Sequence, residues 1–155
     1  MKKSIRKGMG LPYELLKTLH IASVLVWFGG VLMNGVVLGV LASTADALAL
    51  PAVRRLRRWD LFVSNSAQAL AWVFGIWLIV SGGWYFSVGI PDGWLLAKLV
   101  LVSVLSSLHG SQTAVLRKRA RGLAAERRLF LTAHSAWLVL ACAIAIPLLV
   151  VFKPF

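Results

Sequence analysis

The chain has 155 residues, 59% of them hydrophobic, with 17 Lys and Arg against 5 Asp and Glu. Its mean hydropathy of +0.82 excludes an ordinary water-soluble domain, in which about half of the residues are apolar. The net charge of +12 suggests nucleic acid at first sight. However, no DNA- or RNA-reading motif accompanies it, and the basic residues cluster at the ends of apolar runs, so contact with anionic lipid head groups is the reading retained.

Four such runs follow one another: Leu11–Leu41, Leu61–Val88, Trp94–Leu116 and Phe130–Phe152. Each exceeds the ~20 residues that carry a helix across a ~30 Å hydrocarbon core. The runs are continuous rather than alternating, so they predict helices and not a barrel. The expected fold is all-α, an integral-membrane four-helix bundle using residues 1–155 as one domain.

The basic tail Met1–Gly10 precedes the first helix, which Pro12 is suited to start because its missing N–H costs nothing there. The first run is about twice the 7–15 residues of a signal-peptide core, so it reads as a retained helix. At 100° per residue His20, Trp27 and Asn34 share a stripe, with Gly30 beside it. Gly35 and Gly39 form a small-xxx-small pair that permits close helix contact. Ser43–Asp60, with Pro51 and four arginines, reads as a longer connection containing an interfacial helical stretch.

On the second run Gln68, Trp72, Gly75, Ile79 and Gly82 share a stripe. Ser87–Gly93 is a tight turn carrying Pro91, Asp92 and Gly93, which makes the second and third helices antiparallel neighbours. Lys98, Val102, Leu105, His109 and Gln112 line one face of the third run. In the fourth, His134 is followed by the small residues Ala141 and Ala145, and Pro147 is expected to kink the helix. Cys142 is the lone cysteine, so a disulfide or CxxC centre is excluded.

Loops 42–60 and 117–129 share one side of a four-span bundle and hold ten of the 17 Lys and Arg. The positive-inside rule places both in the cytoplasm of a bacterial inner-membrane protein.

All three histidines lie in the apolar runs, and ionisable groups in lipid usually face the bundle interior and mark function. Neutral imidazole is the commonest ligand for transition metals and for haem iron. His20, His109 and His134 are therefore candidate metal ligands. Lys98, in the same layer as His20, is a candidate partner for a carboxylate, and Trp27 with the nearby glycines would line a flat slot. The alternative is that the histidines only hydrogen-bond across helices. Asn34, Gln68 and Gln112 read as interhelical partners rather than ligands. The helices hold no paired carboxylates for hydrolysis, and no phosphate loop, GxSxG or HExxH string occurs.

Several segments resemble one family in chain order: LLKTLHIASVLVWFGG ending at Gly30, Phe74–Leu78 (FGIWL), Gly93–Val102 (GWLLAKLVLV), Leu108–Gly110 (LHG), Glu126–Phe130 (ERRLF) and the terminal VVFKPF. They resemble the HemJ-type protoporphyrinogen IX oxidases, themselves akin to CopD-like membrane proteins. The resemblance implies a four-helix bundle that binds haem b and oxidises protoporphyrinogen IX, passing electrons to a membrane acceptor such as quinone or a respiratory complex. It makes His20 the axial ligand and Lys98 the third-helix lysine.

Two departures stand out. Leu32-Met33-Asn34 replaces the family's Leu-Pro-Arg string, and His134-Ser135 replaces a polar Asn-Glu-type pair. The first favours a haem-binding electron-transfer protein without oxidase activity. The second opens a CopD-like copper site on His109 and His134. A homo-oligomer, or an accessory subunit of a larger membrane complex, is the remaining expectation.

Overall fold

The computed structural model describes residues 12–43, 50–82, 93–123 and 135–152, and the described chain is helical. We label the elements α1 (Tyr13–Ser43), α2 (Leu50–Trp59), a π-helical turn (Asp60–Ser64), α3 (Asn65–Gly82), α4 (Gly93–Ala120) and α5 (Ser135–Phe152). The all-α membrane bundle is what the structure shows. Helical stretches of 29, 33 and 28 residues are long and apolar enough to cross a membrane: Tyr13–Leu41, Leu50–Gly82 and Gly93–Ala120. α5 runs through Pro147.

The surface is apolar and the interior carries the polar groups, the distribution expected when the solvent is lipid. Leu25, Val36, Phe62, Val73, Ile144 and Trp137 point outward, whereas Asn34, Asp60, Ser64, His109 and Gln112 are fully buried. Lipid tails give no hydrophobic drive for helices to associate, so packing and interhelical hydrogen bonds hold such a bundle.

Close approach is arranged at two α1 glycines. A Cβ on Gly30 would collide with the Ser64 side chain, and one on Gly35 would come 3.1 Å from the Ala136 backbone. α1 thus touches the π turn through one glycine and α5 through the other. Its buried seam, Leu16, Ser23, Trp27, Val31, Asn34 and Leu38, recurs every three or four residues once the half-buried His20 is placed between Leu16 and Ser23.

The second helix departs from the sequence expectation. It begins at Leu50, not Leu61, so most of the supposed connection Ser43–Asp60 is helix continuous with the span. The reason is amphipathicity: Val53 and Leu56 pack with Leu38, Val115 and Leu116, while Arg54, Arg55 and Arg58 stay outside. The arginines that suggested a boundary lie on the helix itself. At the junction the Asn65 N–H bonds to the Asp60 carbonyl, closing a π turn. Such turns are rare and recur at functional sites.

α4 ends in a Schellman motif. Leu123 N–H bonds to Lys118 O (3.1 Å) and Gly122 N–H to Arg119 O (2.9 Å). Gly122, with φ of 73°, takes the left-handed position that a side chain would disfavour. The predicted turn Ser87–Gly93 lies, but for Gly93, outside the described residues.

Candidate functional site: a buried carboxylate–histidine network and a second histidine

Asp60 opens the π turn and is completely buried between α1 and α4. Its Oδ1 accepts from Asn34 Nδ2 (2.6 Å) and lies 2.9 Å from His109 Nε2. Its Oδ2 accepts from Thr113 Oγ1 (2.9 Å) and from an Arg57 guanidinium nitrogen (3.2 Å). Four donors fill the acceptor capacity of an ionised carboxylate. They come from α1, α2 and α4, so one side chain ties three elements together.

The proton on His109 can be placed by elimination. Trp27 Nε1 lies 3.1 Å from His109 Nδ1, and an indole nitrogen can only donate. Nδ1 must then carry the lone pair, and the imidazole is neutral with its proton on Nε2, directed at Asp60. Gln68 Oε1 lies 2.9 Å from the same Nδ1; the two ends of the amide are interchangeable by rotation, and with its NH2 toward the ring Gln68 shares the single Nδ1 lone pair with the Trp27 N–H. Both nitrogens of His109 are therefore engaged by protein groups. A metal on His109 would have to displace Asp60, or Trp27 and Gln68.

One turn along α4, Gln112 donates to Ser135 Oγ at the start of α5 (2.7 Å). Asn34, Gln68 and Gln112 are thus interhelical hydrogen-bond partners.

His20 sits apart from this network. Its Nδ1 lies 3.0 Å from the Ala71 carbonyl on α3. A carbonyl can only accept, so Nδ1 bears a proton, and Nε2 has no hydrogen bond to another described residue. A backbone carbonyl fixing one ring nitrogen and leaving the other free is the usual outer support of a metal-ligating histidine. The ring lies against Gly75, where a Cβ would come 3.0 Å from His20 Cε1. Lys98 of α4 is half-buried.

Of the expected site residues, Trp27 and His109 come together, while His20 stands apart from them on Ala71 and Gly75. Trp27 is spent on His109 rather than lining a slot beside His20. His134 lies outside the described residues. Among the described residues no three His, Cys, Asp or Glu side chains gather as a metal-ion ligand set.

Sequence reasoning missed Asp60, the carboxylate at the centre of the larger cluster, by leaving it at the edge of a loop. A signal was present: Asp60, Ser64 and Gln68 are polar at intervals of four, one face of a helix entering the membrane. No protein-family model, curated protein or solved structure matches the chain.

Proposed function

We propose that this chain is a haem b-binding redox protein of the bacterial inner membrane, with His20 as an axial ligand and Lys98 as the partner of a porphyrin carboxylate. The observation that carries the reading is the His20 ring: Nδ1–H is held by the Ala71 carbonyl, Nε2 has no hydrogen-bond partner among the described residues, and the glycine face of α3 lies beside it. Haem b, when bound, supplies a one-electron redox centre. The protein's own contribution is orientation and charge. Ala71 fixes the tautomer, Gly75 admits the ring, and Lys98 offers an ammonium to a carboxylate or takes up a proton released in the same layer.

The Asp60–His109 network gives this half-built site a rigid base. It clamps α1, α2 and α4 at the end where the arginines lie, so that His20, seven residues before Trp27 on α1, is held at a fixed height ~10 Å away along the helix. Arg54, Arg55, Arg57 and Arg58 at that end support a cytoplasmic side for loops 42–60 and 117–129.

In the finer reading the substrate is protoporphyrinogen IX, oxidised to protoporphyrin IX with electrons passed to quinone or a respiratory complex. A second reading, haem-dependent electron transfer without porphyrin oxidation, is favoured by Asn34. Where the resembling family carries an arginine, this side chain is buried and committed to Asp60, so no cation stands at that position to hold a porphyrin propionate. Assaying the haem-loaded, purified chain for protoporphyrinogen IX oxidation separates the two. Turnover that His20→Ala abolishes supports the oxidase; haem without turnover supports electron transfer. Protein that holds copper and no haem overturns both.

A further inference from the structure

The basic end of the bundle has a structure of its own, which the redox site does not use. α2 and the last turn of α4 lie side by side, joined where Arg54 Nε donates to the Ala120 carbonyl (3.2 Å). Their apolar faces are consumed by Val53, Leu56, Val115 and Leu116. Arg54, Arg55 and Arg58 of α2, and Arg117 and Lys118 of α4, face outward beside that seam. Among the described residues only one lysine or arginine has a carboxylate partner, Arg57, and its partner Asp60 already has all its acceptor positions filled. Arg119 Nε is buried with no hydrogen-bond partner. The cluster is thus a concentration of positive charge for which the described protein provides no counter-charge.

Its height identifies what supplies that charge. The α2–α3 helix of 33 residues is ~50 Å long against a hydrocarbon core of ~30 Å. Its arginine-bearing end therefore stands at the level of the head groups. Guanidinium groups hydrogen-bond phosphate oxygens in a fixed, often bidentate geometry. We propose that the seam between α2 and the C-terminal turn of α4 binds the phosphodiester of an anionic phospholipid, with Arg54, Arg55 and Arg58 facing Arg117, Lys118 and Arg119 around it. This is a defined lipid site and goes beyond diffuse attraction to an anionic leaflet. It is independent of haem.

The test uses the full chain in nanodiscs of equal phosphatidylglycerol and phosphatidylcholine, extracted into detergent, with retained lipid counted by native mass spectrometry. The wild type should retain phosphatidylglycerol preferentially. The triple variant Arg54→Gln, Arg55→Gln, Arg58→Gln should lose that preference, at about fivefold for each arginine removed. Replacing the same three by lysine should keep only part of it, because an ammonium cannot reproduce the bidentate contact; full preference with lysine would reduce the site to diffuse charge attraction. Neutralising Lys2, Lys3, Arg6 and Lys7 should leave it intact. Where the triple variant does not fold, Arg55→Gln and Arg58→Gln singly give the readout, because no described neighbour bonds to either side chain. Equal retention of both lipids by the wild type, full preference in the glutamine variants, or loss of preference in the tail variant overturns the site. Displacement of the lipid by inorganic phosphate overturns the lipid in favour of a free-anion site.

Discussion

Asp60 Oδ1 and His109 Nε2 lie 2.9 Å apart across 49 residues of chain, both fully buried. Asn34, Thr113 and Arg57 complete the carboxylate's partners. Removing the carboxylate leaves four donors without their acceptor, two of them, Asn34 and His109, fully buried and two, Arg57 and Thr113, partly exposed, so Asp60→Ala is expected to cost about 3–5 kcal/mol of stability, the usual penalty for breaking a buried pair by deleting one partner. Asp60→Asn, which still accepts through one oxygen, should cost less. Denaturant unfolding in detergent micelles measures both. An Asp60→Ala variant as stable as the wild type would mean that the network does not hold the bundle.

The tautomer assigned to His109 has its own consequence. Trp27→Phe keeps the aromatic ring but withdraws one of the two donors that share the Nδ1 lone pair, leaving Gln68 to hold it, so the expected cost is that of one net hydrogen bond, about 0.5–1.5 kcal/mol. The same substitution made on His109→Phe protein should cost much less, because the acceptor is gone. Unfolding free energies of the four proteins give the coupling. Zero coupling would place the Trp27 N–H elsewhere.

Helix contact at Gly30 is tighter than a methyl group permits. Gly30→Ala should destabilise by about 1–3 kcal/mol through overpacking against Ser64. Ser64→Gly in the same chain should restore part of the loss by clearing the obstructing side chain. Thermal unfolding monitored by helical circular dichroism reads this. Equal stability of Gly30→Ala and wild type would argue that α1 and the π turn stand further apart.

Gly75 tests the His20 site without touching the ligand. Its Cβ would press on His20 Cε1, so Gly75→Ala should turn the imidazole and lower haem occupancy severalfold while leaving helical content unchanged. Haem per protein, by absorbance after extraction, is the measurement. Unaltered occupancy would show that the ring has room to give.

The fold was legible because lipid leaves helices few alternatives. Run length and continuity alone predict the spans, and the α1 stripe correctly put Trp27 and Asn34 on an interior face. The partners of those residues were not legible. Asp60 follows a stretch with four arginines, and local hydropathy reads it as the end of a loop. Only the packing of Val53 and Leu56 on α4 reveals the helix already running there. The π turn adds a further obstacle. It inserts a residue into the helical repeat, so faces projected at 100° per residue from α3 do not carry over to α2. Likewise, His20 and His109 look alike in sequence, as single imidazoles in apolar runs. What separates them is a carboxylate from a distant helix in one case and a backbone carbonyl in the other.

The account rests on His20 Nε2 being the nitrogen that takes iron. A reduced-minus-oxidised visible spectrum of the detergent-purified chain, recorded for the wild type, His20→Ala and His109→Ala, tests it most directly. The account predicts a b-type spectrum in the wild type, its near-complete loss in His20→Ala, and its survival in whatever His109→Ala protein remains folded. A full haem spectrum in His20→Ala, or no chromophore in the wild type after reconstitution with haem, would contradict it.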